Sequence, residues 1–116
     1  MTIQRHEAGP CMSKAVVHGD TVYLSGIVAD APKGKSMTEQ TKSILSQIDG
    51  FLAQSGTDKS KLLSANIWVT DMAKFAEMNA VWDAWMSPGN APARATVEAK
   101  LASPDYVVEI MVVAAK

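Results

Sequence analysis

The sequence predicts an α+β fold: a mixed sheet with two helices packed on one face, in the order β-β-α-β-α-β-β. Three observations predict it. Stretches of two-residue periodicity alternate along the chain with stretches of 3.6-residue periodicity, the pattern of a layered sheet and helix fold. Each of two apolar stripes at helical spacing stops at a turn signal. No repeat, low-complexity tract or linker interrupts the 116 residues, so a single domain spanning residues 1–116 is expected, with one core.

Taken in order, an extra short strand is read around Thr2 to Arg5. The segment Lys14 to Ser25 holds two β-rich runs around Gly19-Asp20, which reads as a hairpin whose second arm ends at Gly26. A loop from Ala29 to Lys35 contains Pro32 and Gly34. Ser36 and Glu39 then stand at capping-box spacing, where hydroxyl and carboxylate each satisfy the other residue's backbone N–H, so a helix begins there. Ile44, Leu45, Ile48, Phe51 and Leu52 form its apolar stripe, which ends near Gly56. From Leu62 to Thr70, Ala65, Ile67 and Val69 alternate with Ser64, Asn66 and Trp68, predicting a strand with Trp68 on the side opposite Ile67. Met72, Phe75, Met78, Trp82 and Trp85 return at helical spacing until Ser87-Pro88-Gly89 stops them, and are read as ordinary core. Arg94 to Ala99 and Val107 to Ala114 are the last two strands. The second face of such a sheet is either solvated or covered by partners, and an apolar one favours oligomerisation.

Composition narrows the function classes. A net charge of −1 leaves no excess of Lys or Arg to neutralise a phosphate backbone, which disfavours nucleic acid as the main partner. No window approaches the ~18 apolar residues of a membrane span, and no cationic segment leads into an apolar one, so a soluble cytoplasmic protein is expected. Cys11 is the single cysteine, and His6 and His18 are the only imidazoles. No metal site and no hydrolytic triad are expected from them. Seven Met and three Trp in a chain of 47% hydrophobic residues are compatible with a subunit interface.

The chemistry-bearing residues are few. Arg94 follows the Pro92 turn and opens a β-type run; its guanidinium is a rigid, permanently charged fork suited to a carboxylate. The competing reading is a surface ion pair. Glu109 interrupts the apolar run Val107 to Val113, where a charge is costly unless a cation such as Arg94 lies beside it or alternation turns it to solvent on an edge strand. Gly26, after Ser25, permits a ligand or backbone to approach closely, or is a simple turn glycine. Asn79, among Phe75, Met78 and Trp82, orients a ligand or loop, or caps a backbone group. Cys11 is a reactive thiol or a small buried hydrophobe.

Together, Gly9-Pro10, Val22 to Gly26, Val69 to Phe75, Met78-Asn79, Pro92 to Glu98 and Val108-Glu109-Ile110 resemble the RidA/YjgF family of reactive enamine and imine deaminases, also described as endoribonuclease L-PSP-like, in one of its less characterised branches. The resemblance implies a chorismate-mutase-like fold assembled as a homotrimer, with ligand clefts between adjacent subunits. It implies hydrolysis of 2-imino acids to 2-keto acids and ammonia, without a cofactor. By position, Arg94 would bind the substrate carboxylate and Glu109 would position or activate water. Ser25 and Gly26 would add backbone contacts, and Asn79 would support the cleft. Thr96 stands where relatives often carry cysteine, Cys11 where many active deaminases carry tyrosine, and Ile27 where a glutamine is often found, so the cleft is expected to be altered there. A non-catalytic carboxylate sensor, or a chaperone-like or ribonuclease protein, is the alternative within the same fold.

Overall fold

The computed structural model describes residues 1–116. Its elements are β1 (Ile3–His6), β2 (Ala15–His18), β3 (Thr21–Leu24), α1 (Met37–Gln54), β4 (Leu62–Val69), α2 (Phe75–Trp85), β5 (Ala93–Glu98) and β6 (Val108–Ala115). They build one six-stranded sheet in the order β1-β2-β3-β6-β4-β5. The first three strands form an antiparallel meander, and β6 inserts antiparallel between β3 and β4. Only β4 and β5 run parallel, and α2 lies in the connection between them, as a parallel pair requires.

Local chemistry accounts for the turns and caps. His18 pairs with Thr21, leaving Gly19-Asp20 as a two-residue loop, and Gly19 takes the positive φ of 61° that such a loop needs. Ser36 caps α1 with a complete capping box: Glu39 N–H donates to the Ser36 hydroxyl, and Ser36 N–H donates to the Glu39 carboxylate. The second helix is shorter than its sequence period. Asp71 caps a separate 3-10 turn over Met72–Lys74, α2 starts only at Phe75, and Met72 is exposed rather than part of the core.

Both helices pack on one face of the sheet, where Ile44, Leu45, Ile48 and Leu52 of α1 and Met78 and Trp82 of α2 are buried against Val17, Val22, Leu24, Ala65, Ile67, Val69, Val108, Ile110, Val112 and Ala114. Ile27 is buried there too, with its backbone bridged to Ile110 in both directions. It therefore serves the core here. The strands alternate, so the other face carries Val16, Tyr23, Trp68, Val97, Met111 and Val113, all partly or well exposed. These apolar residues share the face with Arg5, Ser64, Asn66 and Glu109, and it is uncovered in the single chain.

One buried polar side chain ties the connections down. Gln40 of α1 is fully buried; its Nε2 donates to the carbonyls of Pro32, Lys35 and Asp105, and its Oε1 accepts from Val107 N–H. Gln47 Nε2 adds a bond to Val28 O at 2.9 Å. The loops before α1 and before β6 are thus both fastened to the same helix.

Candidate functional site

Arg94 sits on the edge strand β5, where alternation points Arg94, Thr96 and Glu98 toward the helix side of the sheet. There its Nη1 donates to Asn79 Oδ1 at 2.7 Å. The guanidinium carbon lies 5.8 Å from the centroid of the Phe75 ring and 5.4 Å from that of Trp82, within cation–π range of both. No carboxylate pairs with it: the chain's salt bridges are Lys35–Glu39 and Lys74–Glu77. The ion-pair reading of Arg94 is thereby replaced. A neutral amide and two aromatic rings hold an exposed cation whose charge is not cancelled by any neighbour.

Asn79 does not cap a backbone group. Its oxygen accepts from Arg94, and its Nδ2 donates to Asp83 Oδ2 at 3.4 Å, one turn further along α2. Phe75, Asn79, Trp82 and Asp83 share neighbouring positions on α2 through their three- and four-residue spacing. The sequence stripe therefore contributes more than core: Phe75 and Trp82 floor the arginine, and neither was singled out for that role. Two residues beyond Arg94, the Thr96 hydroxyl is buried without a partner.

Glu109 belongs to the opposite face. It stands on β6, an interior strand rather than an edge, paired with Trp68 of β4, and is half-buried on the open side. Its carboxylate lies directly against Gly26. A Cβ built on Gly26 would overlap Glu109 Oε2 and stand 3.0 Å from Cδ, so the glycine is required for close approach, not for a turn conformation. Beside it, the Ser25 hydroxyl is another buried oxygen without a partner. Unpartnered buried hydroxyls are rare in native structures and the chain has three, two of which flank these candidate residues. Cys11 is exposed, not buried, in a cavity of ≈ 370 Å³ with Arg5, Pro10, Met12 and Val16.

The predicted residues thus fall into two sets. Arg94, Asn79 and Thr96 lie on the helix side at the β5 edge; Glu109 lies on the open face, with Gly26 and Ser25 beside it. The sequence-level idea that Arg94 neighbours Glu109 within the chain is not met, because strand parity turns them to opposite faces. None of the three cavities of the single chain is lined by Arg94 or Glu109; the largest, ≈ 460 Å³, is lined by Thr70, Glu98, Lys100, Tyr106 and their neighbours. No cluster of three or more His, Cys, Asp or Glu gathers to hold a metal ion, and no helix is long and apolar enough to cross a membrane.

The family model described as Endoribonuclease L-PSP matches residues 2–116. A crystal structure of a YjgF-family protein from Neisseria meningitidis covers 100% of this chain and 96% of its own, at a TM-score of 0.96 and 46% identity. The chain belongs to the RidA/YjgF family. Among its RidA/YjgF relatives, the RutC family protein YoaB of Escherichia coli K12 is 44% identical over 115 residues, 99% of each chain. Reactive Intermediate Deaminase A of Arabidopsis thaliana chloroplasts is more distant, 27% identical over 107 residues that make up 88% of this chain and 57% of that protein.

Proposed function

We propose that this protein hydrolyses small 2-imino acids and their enamine tautomers to 2-keto acids and ammonia, in clefts formed between adjacent copies of a cytoplasmic homotrimer. The observation that carries the reading is Arg94: a guanidinium held by an amide and two rings, free of any ion pair, is prepared for an incoming carboxylate. The separation of Arg94 from Glu109 supports the composite cleft, because a second copy brings the missing half. The exposed Tyr23 and Val97, with the partly exposed Trp68, Met111 and Val113, on the uncovered sheet face support the assembly, since exposed apolar groups of this kind mark interaction surfaces. A distant relative carries the deaminase name, which agrees with the chemistry.

In this scheme Arg94 of one copy grips the carboxylate in two parallel hydrogen bonds and fixes the imine carbon. Glu109 of the neighbour accepts a proton as water attacks that carbon, so the C–O bond forms while the C=N π bond opens, and the proton is returned to nitrogen to complete the carbinolamine. The same carboxylate then takes the hydroxyl proton and passes it to nitrogen, the C–N bond breaks, and ammonia leaves as the carbonyl forms. The unpartnered hydroxyls of Thr96 and Ser25 supply hydrogen bonds to bound substrate, and Cys11 lines the cleft. No cofactor takes part. Ribonuclease activity is disfavoured by the net charge of −1.

Semicarbazide-trapped hydrolysis of 2-iminopropanoate tests the reading: Arg94→Ala should lose most of the wild-type acceleration, and a wild type without acceleration on any imine overturns it in favour of a carboxylate-binding module. Mixing Arg94→Ala with Glu109→Gln, after reassembly, should restore about one intact cleft in four if each cleft takes its arginine and glutamate from different copies.

A further inference from the structure

The single polar partner of Arg94 is an amide, and an amide has two ends. Asn79 fixes the arginine only when its oxygen faces Nη1; turned over, it would set an NH₂ against an NH₂. Arg94, which only donates, already favours the first, and Asp83 reinforces it: an ionised carboxylate only accepts, and it takes the Nδ2 of Asn79 from one helical turn away, holding the other end of the amide in place. The result is a directed chain, Asp83 to Asn79 to Arg94, running from solvent along α2 to the edge of the sheet. Asp83 is exposed and touches the arginine only through that amide.

We propose that Asp83 is a positioning residue for Arg94, setting the amide of Asn79 so that the guanidinium lies on the Phe75 and Trp82 rings with its remaining donors directed outward. The inference rests on the carboxylate-binding role of Arg94 and adds to it the residue that orients the fork. Its electrostatic consequence is opposite in sign to its geometric one. A nearby negative charge weakens anion binding, so a purely electrostatic Asp83 would be improved on by removal. A positioning Asp83 would be missed.

Two substitutions separate these roles. Asp83→Ala removes the acceptor; Asp83→Asn removes the charge and retains an oxygen that can accept from Asn79. Both lie on an exposed helical position and should fold. Binding of pyruvate, followed by calorimetry, should weaken about fivefold in Asp83→Ala and stay within about twofold of wild type in Asp83→Asn, as expected for loss of one hydrogen bond in a chain. If both variants change affinity together, in either direction, positioning is overturned.

A second reading needs no ligand. Ring currents of Phe75 and Trp82 should shift the Arg94 guanidinium NMR signal away from that of a free arginine. Asp83→Ala should return it toward the free position and Asp83→Asn should not. An unmoved signal in Asp83→Ala overturns the proposal whatever pyruvate does. A wild type that fails to bind pyruvate but shows this pattern leaves the positioning role standing and removes the carboxylate reading instead.

Discussion

Gly26→Ala isolates the placement of Glu109 from the stability of the fold. Gly26 does not occupy the positive-φ region, so alanine meets no backbone strain there. What it meets is the Glu109 carboxylate: the new Cβ would overlap Oε2 and stand 3.0 Å from Cδ and 3.5 Å from Cγ. Overpacking a rigid core costs about 1–3 kcal/mol. Here the obstructed atoms are the end of a flexible, half-exposed side chain, which can turn away. Stability should therefore change by less than about 1 kcal/mol. The carboxylate cannot turn away and keep its place, and a displacement of about 1 Å in a reacting group costs on the order of 100-fold in rate. The expected result is a near-normal unfolding midpoint with kcat/KM for 2-iminopropanoate reduced about 100-fold, measured by semicarbazide trapping. Gly50→Ala is the control: nothing lies within 4 Å of its new Cβ, and removing a glycine from inside α1 should stabilise by about 0.5–1 kcal/mol at unchanged turnover. A Gly26→Ala protein with wild-type kcat/KM would refute the assignment of Glu109.

Gln40→Leu should cost about 3 kcal/mol in urea unfolding, because it abandons Val107 N–H and the carbonyls of Lys35 and Asp105, and leaves Pro32 O with only its bond from Lys35 N–H; a loss under about 1 kcal/mol would show that water replaces the amide. The capping box predicts a pH effect. Hydrogen bonds from the Ser36 backbone and side chain, with Lys35 contributing less, hold the Glu39 carboxyl below its ordinary value. A carboxyl lowered on folding stabilises fully above its unfolded value of about 4.5, and this is lost as pH falls through the lowered folded value. Glu39→Gln should therefore flatten the acid limb of the thermal midpoint below about pH 4.5 and leave an otherwise constant offset above it, read by circular dichroism; an unchanged acid limb would count against the capping role.

Much of the framework was legible because it rests on local rules. The Gly19-Asp20 hairpin, the Ser36–Glu39 box and the parity of β4 each follow from neighbouring residues alone. The candidate residues could be singled out one by one, but not their arrangement. In β5 the apolar set Ala93, Ala95 and Val97 invites assignment to the core, yet it faces the open side, and Arg94 and Thr96 point toward α2. Parity shows which residues share a face; it cannot show which face an edge strand, lying beyond the densest helix cover, turns inward. The same limit hid the floor beneath Arg94. Helical spacing marks Phe75 and Trp82 as inward-facing, but only the crossover geometry brings the arginine of a parallel strand over them. Met72 departed from its stripe because Asp71 caps a 3-10 turn before α2 can begin.

The fastening of the two long connections to α1 bears on how reactants reach the protein. With Gln40 holding the backbone at Pro32, Lys35, Asp105 and Val107, and Gln47 holding Val28, neither connection is free to swing as a flap over Arg94 or Glu109. Enzymes that close a lid do so to keep solvent from a reactive intermediate. In the proposed hydrolysis the solvent is itself a reactant, and a short-lived imine would decay while it waited for a gate. A cleft between copies without a cover would suit both conditions: arrival, attack and departure would proceed without an opening step to slow them.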